Sequence, residues 1–211
     1  MKLTQEKKSE RSQGQILEAA LQLFSKQGYR GTSIREIAEL AGLSTGNVYH
    51  HFPDKESLFR TLLDQYWAAI DDPDFPFNKA LAAGAFPDDL EALAEAARES
   101  VHAHRRHVAL IYVDVVEFDG THIRKFYSGM SGRFESFINK RFPDGSLKDR
   151  LAPGLDPTTA LMLVSRVFLQ YSSVEILFGV PEQLGKETPI ALKEISAILR
   201  HGILRSPDLT K

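Results

Sequence analysis

The chain of 211 residues has no cysteine, a single tryptophan and three methionines. Without thiols there is no disulfide framework, no thiolate nucleophile and no zinc site that needs cysteine, which suits a reducing compartment. A charge excess is missing too: the formal net charge is −2, so no uniformly basic surface draws in nucleic acid. No run approaches the ~18 apolar residues of a spanning helix, and the opening MKLTQEKKSERSQ lacks the apolar core of a signal peptide. A cytoplasmic protein with no membrane partner is expected. GxSxG elbows, phosphate-binding glycine loops and HExxH pairs are all absent, so neither an enzyme nor a cofactor is expected. Strand-like alternation is nearly absent as well, which predicts an all-α fold.

What is present is a series of helix start and stop signals. Ser12 with Gln15 forms a capping box that opens a helix through Ile16, Leu17, Ala20, Leu23 and Phe24, ended by Gly28. Ser33 with Glu36 opens a second, short helix carrying Ile34, Ile37, Ala38 and Ala41, which Gly42 stops. Ser44 caps a third through Phe52, and Pro53-Asp54 restarts the chain into a long fourth helix with Leu58, Phe59, Leu62, Leu63, Tyr66, Trp67 and Ile70 at helical spacing. The prolines of DDPDFPFNK predict a break near residues 71 to 79. Beyond it, Asp88 with Glu91 predicts a helix to about Arg105, followed by helices over Val108 to Phe118 and from Gly120-Thr121 to about Arg141. Asp156-Pro157 and Thr188-Pro189, each a cap followed by a proline at the first helical position, predict two last helices at about 158 to 178 and 190 to 203.

Charge is unevenly spread. Residues 1 to 60 carry nine Lys/Arg against seven Asp/Glu, and residues 61 to 211 carry seventeen against twenty-one. Any nucleic acid therefore belongs at the N-terminal end. There, two short helices joined at Gly42 have the requirements of a helix-turn-helix, because glycine accepts the positive φ that sends the second helix off at a steep angle. Thr45, Gly46 and Asn47 begin the third helix with small polar groups suited to base edges in a major groove.

Residues 28 to 59, GYRGTSIREIAELAGLSTGNVYHHFPDKESLF, resemble the DNA-binding domain of the TetR family of transcriptional regulators. The shared pattern appears as Gly28-Tyr29, Thr32-Ser33, Ile37-Ala38, Ala41-Gly42-Leu43-Ser44, Tyr49, His51-Phe52 and Lys55-Glu56-Ser57-Leu58. The resemblance covers about residues 12 to 60. It implies an N-terminal arm at 1–11, a helix-turn-helix domain at 12–55 and a helical ligand-binding and dimerisation domain at 56–211. It also implies that Thr32 or Ser33, with Tyr49, His50 and Lys55, meets phosphate while Thr45, Gly46 and Asn47 face the bases, Ser44 belonging to the same DNA-binding set. A homodimer on an inverted-repeat operator, released by a small organic effector, follows as the expected function, with the fourth helix as coupler.

The remaining residues of interest are aromatic, polar or histidine. Trp67, Tyr112, Phe126, Met130, Met162 and Phe168, with His122, Arg166 and Gln170 as polar points, are the expected walls of an apolar effector cavity. His102, His104 and His107, with Asp114, Glu117 and His122, suggest the alternative of a metal-responsive regulator, and a ligand-independent regulator is the other alternative. Leu161, Val164, Phe168, Tyr171, Ile195, Ile198 and Leu199 are the expected dimer faces of the last two helices.

Overall fold

The computed structural model describes residues 5–204. Thirteen helices and no strand occur among the described residues, with one isolated antiparallel bridge between Leu151 and Leu204. By packing the chain divides into two compact units, one made of residues up to Ala69 together with Arg106–Lys125, the other of Ile70–Arg105 and the chain from Phe126 onward.

The first unit holds α1 (Gln5–Gln27), α2 (Ile34–Ala41), α3 (Thr45–His51), most of α4 (Lys55–Asp71) and nearly all of α8 (Arg105–Phe118). Its core is Ile16, Ala20, Phe24, Ile37, Val48, Leu58, Phe59, Leu62, Leu63 and Leu110, each buried. Apolar residues at spacings of three and four put one stripe of α1 and one of α4 inward, which is why these helices pack rather than dissolve. α1 begins earlier than Ser12. Gln5 to Arg11, expected as an arm, form its first turns, because nothing in QEKKSER breaks a helix and Glu6 lies favourably in the first turn. Residues 1 to 4 lie outside the described residues. The boundary expected at residue 55 also differs from the packing, since Leu58, Phe59 and Leu110 share one core with the first three helices.

The second unit contains α5 (Pro76–Ala82), α6 (Ala85–Asp88), α7 (Leu90–Ala103), α10 (Met130–Arg141), α11 (Ser146–Arg150), α12 (Pro157–Leu177) and α13 (Thr188–Ile203), with α9 (Arg124–Ser128) at the boundary. Phe75, Leu90, Leu93, Ala97, Leu161, Val164, Phe168 and Ala191 are buried together at its centre. Arg98 of α7 donates through Nε to both oxygens of Glu175 at 3.2 and 3.1 Å, tying α7 to α12.

Several local expectations shift here. Pro76 opens a helix where a longer break was expected. Asp89, not Asp88, caps α7, accepting from the Ala92 N–H at 3.0 Å. The helix expected from Gly120 starts only at Arg124 and is divided at Gly129, because Asp119 and Gly120 both take positive φ and turn the chain first. Asp156 caps α12 with Pro157 in its first turn, while the Thr188 hydroxyl caps nothing and instead bonds Glu175 and the Pro181 carbonyl. α12 is also long and apolar enough, by length and composition, to cross a membrane, contrary to the expectation that no segment is. Ala160, Leu161, Val164 and Phe168 are fully buried in the second unit, so this helix owes its apolar character to a protein core.

Candidate nucleic-acid interface

Ser33 has extended backbone angles and closes a reciprocal box with Glu36. Its Oγ accepts from the Glu36 N–H at 3.2 Å, and Glu36 Oε2 accepts from the Ser33 N–H at 2.8 Å. The hydrogen bonds from Ser33 hold the Glu36 carboxyl below its ordinary value. At the other end of α2, Gly42 sits at φ 68° and ψ 31°; its N–H reaches Glu39 O at 3.1 Å, and the Leu43 N–H reaches Ala38 O at 2.9 Å. This pair of bonds is a Schellman stop, and only a residue at ease with positive φ permits it. The chain leaves at once into α3, capped by Ser44 Oγ accepting from the Asn47 N–H at 3.2 Å. Asp54 then caps α4, its Oδ1 accepting from the Ser57 N–H at 2.6 Å. Three capping side chains and one glycine thus give the helix-turn-helix its angles. Val48 and Phe52 anchor α3 from beneath.

With Val48 and Phe52 inward, the opposite face of α3 is outward. Thr45, Gly46, Tyr49 and His50 are exposed, Tyr49 by 55%. Beside them lies an open groove of about 630 Å³ lined by Arg30, Gly31, Thr32, Ser33, Ile34, Arg35, Glu36, Thr45, Tyr49 and Lys55. Three cations against one carboxylate give it a positive balance suited to a polyanion. Arg30 and Arg35 were missed in the sequence because they fall between the motif positions. Their signal was there: two arginines flanking a capped helix start.

Five expected contact residues stand differently from the sequence reading. Thr32 is 2% exposed and donates its hydroxyl to Gly28 O at 2.7 Å, so that hydroxyl holds a turn rather than a phosphate. Lys55 places Nζ 2.8 Å from Tyr29 O and 2.7 Å from Thr32 O, 4.1 Å over the Tyr29 ring, and burial lowers its pKa. Two of its three donors serve the protein, so it is not the freely available phosphate ligand expected. Asn47 is half-buried with Oδ1 enclosed and unpartnered, and a bidentate grip on adenine requires that oxygen to turn outward. Ser44 Oγ is occupied as a cap. Ser33, Ser44, Thr45, Gly46, Tyr49 and His50 are exposed, but the Ser33 hydroxyl is occupied like that of Ser44, donating to Glu36 Oε2 at 2.7 Å.

The expected effector residues fall in both units. Trp67, Tyr112 and His122 belong to the first unit; Phe126, Met130, Met162, Arg166, Phe168 and Gln170 belong to the second. Phe168 is fully buried in the core, whereas Arg166 and Gln170 are exposed. At about 100° per residue, position 168 lies about 200° from 166, on the opposite face of α12, so the three cannot wall one cavity. Phe126 is buried beneath the Arg133 guanidinium, 4.3 Å from its ring centre. Met130 and Met162 are half-buried.

His104, His107 and His122 are engaged within their own units. His104 lies on the Phe75 ring with centroids 5.2 Å apart, His107 stacks on Tyr66 at 5.5 Å, and His102 is exposed. His122 Nδ1 is 2.6 Å from Asp114 Oδ1, and Glu117 accepts from two backbone N–H groups. No group of three or more His, Asp or Glu suited to a metal occurs among the described residues. Of the expected dimer faces, Leu161, Val164, Phe168 and Tyr171 are buried in the chain's own second unit, and the exposed large hydrophobic residues on α12 and α13 are Leu163, Ile190 and Ile198.

Residues 16–62 match the family model for bacterial regulatory proteins of the tetR family. The chain is 36% identical over 104 residues to the HTH-type transcriptional repressor KstR2 of Rhodococcus jostii strain RHA1, an alignment covering 49% of each protein. It thus spans about half the length of that relative. The HTH-type transcriptional repressor NicS of Pseudomonas putida is 25% identical over 169 residues, covering 78% of this chain and 77% of NicS. Among solved structures, NalD of Pseudomonas aeruginosa, the secondary repressor of the MexAB-OprM multidrug efflux pump, superposes with a TM-score of 0.61 at 21% identity, over 93% of this chain and 98% of NalD. That last likeness is one of fold.

Proposed function

We propose that the chain, whose residues 16–62 match the tetR family model, is a cytoplasmic repressor of that family that binds an inverted-repeat operator as a homodimer and lets go when a small organic effector binds. The observation that carries the DNA-binding reading is the exposed polar face of α3 beside a groove in which Arg30, Arg35 and Lys55 outnumber Glu36. In this reading Thr45 and Gly46 approach the bases, and Asn47 joins them by turning its amide outward. Tyr49, His50, Arg30 and Arg35 hold phosphates, Ser33 orients the start of α2 through its box with Glu36, and Lys55 contributes long-range charge. One seven-residue helix reads too few base pairs to specify a site, so two copies are needed. Leu163 of α12 with Ile190 and Ile198 of α13 supplies the apolar contact between copies.

An effector changes operator affinity only by binding one conformation better than another. A largely apolar molecule suits the second unit, where Met130 and Met162 offer adaptable, half-buried side chains. Selection of bound duplex from a random pool tests the reading. Two inverted half-sites with centres about 34–36 Å apart, or a multiple of that, are expected. Enrichment of no sequence, with binding that depends on salt alone, rejects it.

A further inference from the structure

The connection between α1 and α2, residues 28 to 32, has no regular structure, so its backbone groups need partners from elsewhere. Those partners come from three helices. Gln27 of α1 donates Nε2 to Gly31 O at 2.8 Å, and Lys55 of α4 donates to Tyr29 O and Thr32 O. Glu117, near the end of α8 and eighty-eight positions from Tyr29, completes the set: Oε1 accepts from the Tyr29 N–H at 2.8 Å and Oε2 from the Arg30 N–H at 2.7 Å. The peptide of Tyr29 is thereby gripped at both ends, its N–H by a carboxylate and its carbonyl by an ammonium. Gly28 sits so close that a β-carbon there would lie 2.5 Å from Glu117 Oε1. The fit leaves no slack.

Glu117 is held in its turn. Its side chain is 14% exposed, and Phe118 beside it packs on Tyr29 and Phe59 with ring centroids 4.6 and 5.2 Å apart. One turn earlier Asp114, fully buried, lies 2.6 Å from His122 Nδ1 and accepts from the Ile123 N–H at 3.2 Å, which fixes the chain that follows α8. Glu117 is therefore a rigid arm from α8 onto the loop that delivers Ser33, the N-cap of α2. Arg30, Gly31, Thr32 and Ser33, all in or next to that loop, form one wall of the positive groove.

We propose that Glu117 is a positioning residue for operator binding: by chelating the Tyr29 and Arg30 N–H groups it sets where α2 begins and how the groove wall meets DNA. The inference rests on the DNA-binding reading above. It makes a prediction opposite in sign to that from charge alone. A carboxylate near a groove that holds phosphate repels the ligand, so on electrostatic grounds Glu117→Gln tightens binding. As a positioning residue, the same change weakens it, because the amide accepts one N–H and presents its own donors to the other.

The experiment uses the full chain and DNA selected by the native protein. Operator affinity is titrated against salt for the native protein, Glu117→Gln and Glu117→Ala, and amide hydrogen exchange is followed at Tyr29 and Arg30 without DNA. Both variants are expected to bind about tenfold more weakly with an unchanged salt slope, since no phosphate contact is removed, and to exchange both amides faster while the core of α1 and α4 stays protected. Equal or tighter binding by Glu117→Gln overturns the proposal, as does unchanged exchange at both amides. A native chain that selects no DNA sinks the underlying reading, whereas selected DNA bound equally by all three proteins sinks only this one.

Discussion

Two glycines of the first unit take the same left-handed conformation, and replacing each with alanine separates backbone strain from a specific contact. Gly42 has φ 68° and nothing within 4 Å of where a β-carbon would stand, so Gly42→Ala incurs only the conformational cost, about 1–2 kcal/mol. Gly28 has φ 77°, which sets a similar cost, but its added methyl falls 2.5 Å from Glu117 Oε1. Either the methyl or the carboxylate must yield, and the carboxylate, at the end of its side chain, moves. Displacing Oε1 costs its hydrogen bond from the Tyr29 N–H and adds about 1.5–3 kcal/mol. Gly28→Ala is therefore expected to destabilise the unit by about 2.5–5 kcal/mol in total, roughly two and a half times the effect at Gly42. Trp67 is the only tryptophan and is half-buried in this unit, so urea unfolding followed by its fluorescence reports the right transition. In a Glu117→Ala background the methyl meets no carboxylate, and the excess at position 28 should vanish. Equal losses at the two glycines, or an excess that survives removal of Glu117, refute the argument.

At the interface with DNA, Tyr49→Phe and Arg35→Ala should weaken operator binding similarly across sequences, with Arg35→Ala making the salt dependence shallower, whereas Thr45→Ala should alter preference at a single position in each half-site; titrations over salt and single-base variants separate the two patterns. Ile198 is 71% exposed and Phe168 fully buried, so Ile198→Glu should yield folded monomers by sedimentation while Phe168→Glu should lose the second unit's helical signal altogether, because an unpaired buried charge costs several kcal/mol. Folded dimers of Ile198→Glu would move the interface elsewhere. Ser33→Ala should cost the first unit about 1 kcal/mol through loss of its cap. The Glu36 carboxyl, lowered in the folded state by Ser33, stabilises above its ordinary pKa of 4.5, and that contribution fades as pH falls below it towards the lowered value; the fading should be weaker in Ser33→Ala, and an identical acid profile in both proteins would contradict it.

The local features of the helix-turn-helix were legible in the sequence because they are set by neighbours along the chain. A serine three residues before a glutamate, a glycine after two turns and a serine two residues later are enough to start, stop and restart helices, whatever packs on them. The all-α class followed for the same reason, as did the inward placing of Val48 and Phe52, which leaves Tyr49 outward. Helix periodicity also distinguishes faces, but it does not say what each face meets. Phe168 and Arg166 both looked like cavity residues, and only packing placed one in the core and the other at the surface. Lys55 has the same ambiguity in sharper form: a lysine at the start of a helix near DNA reads as a phosphate ligand until the Tyr29 and Thr32 carbonyls are seen around its ammonium. Glu117 was legible only as a carboxylate among histidines. That it closes the loop at Tyr29 and Arg30 depends on a contact across 88 positions, and no pattern of neighbouring residues encodes a contact made by the fold as a whole.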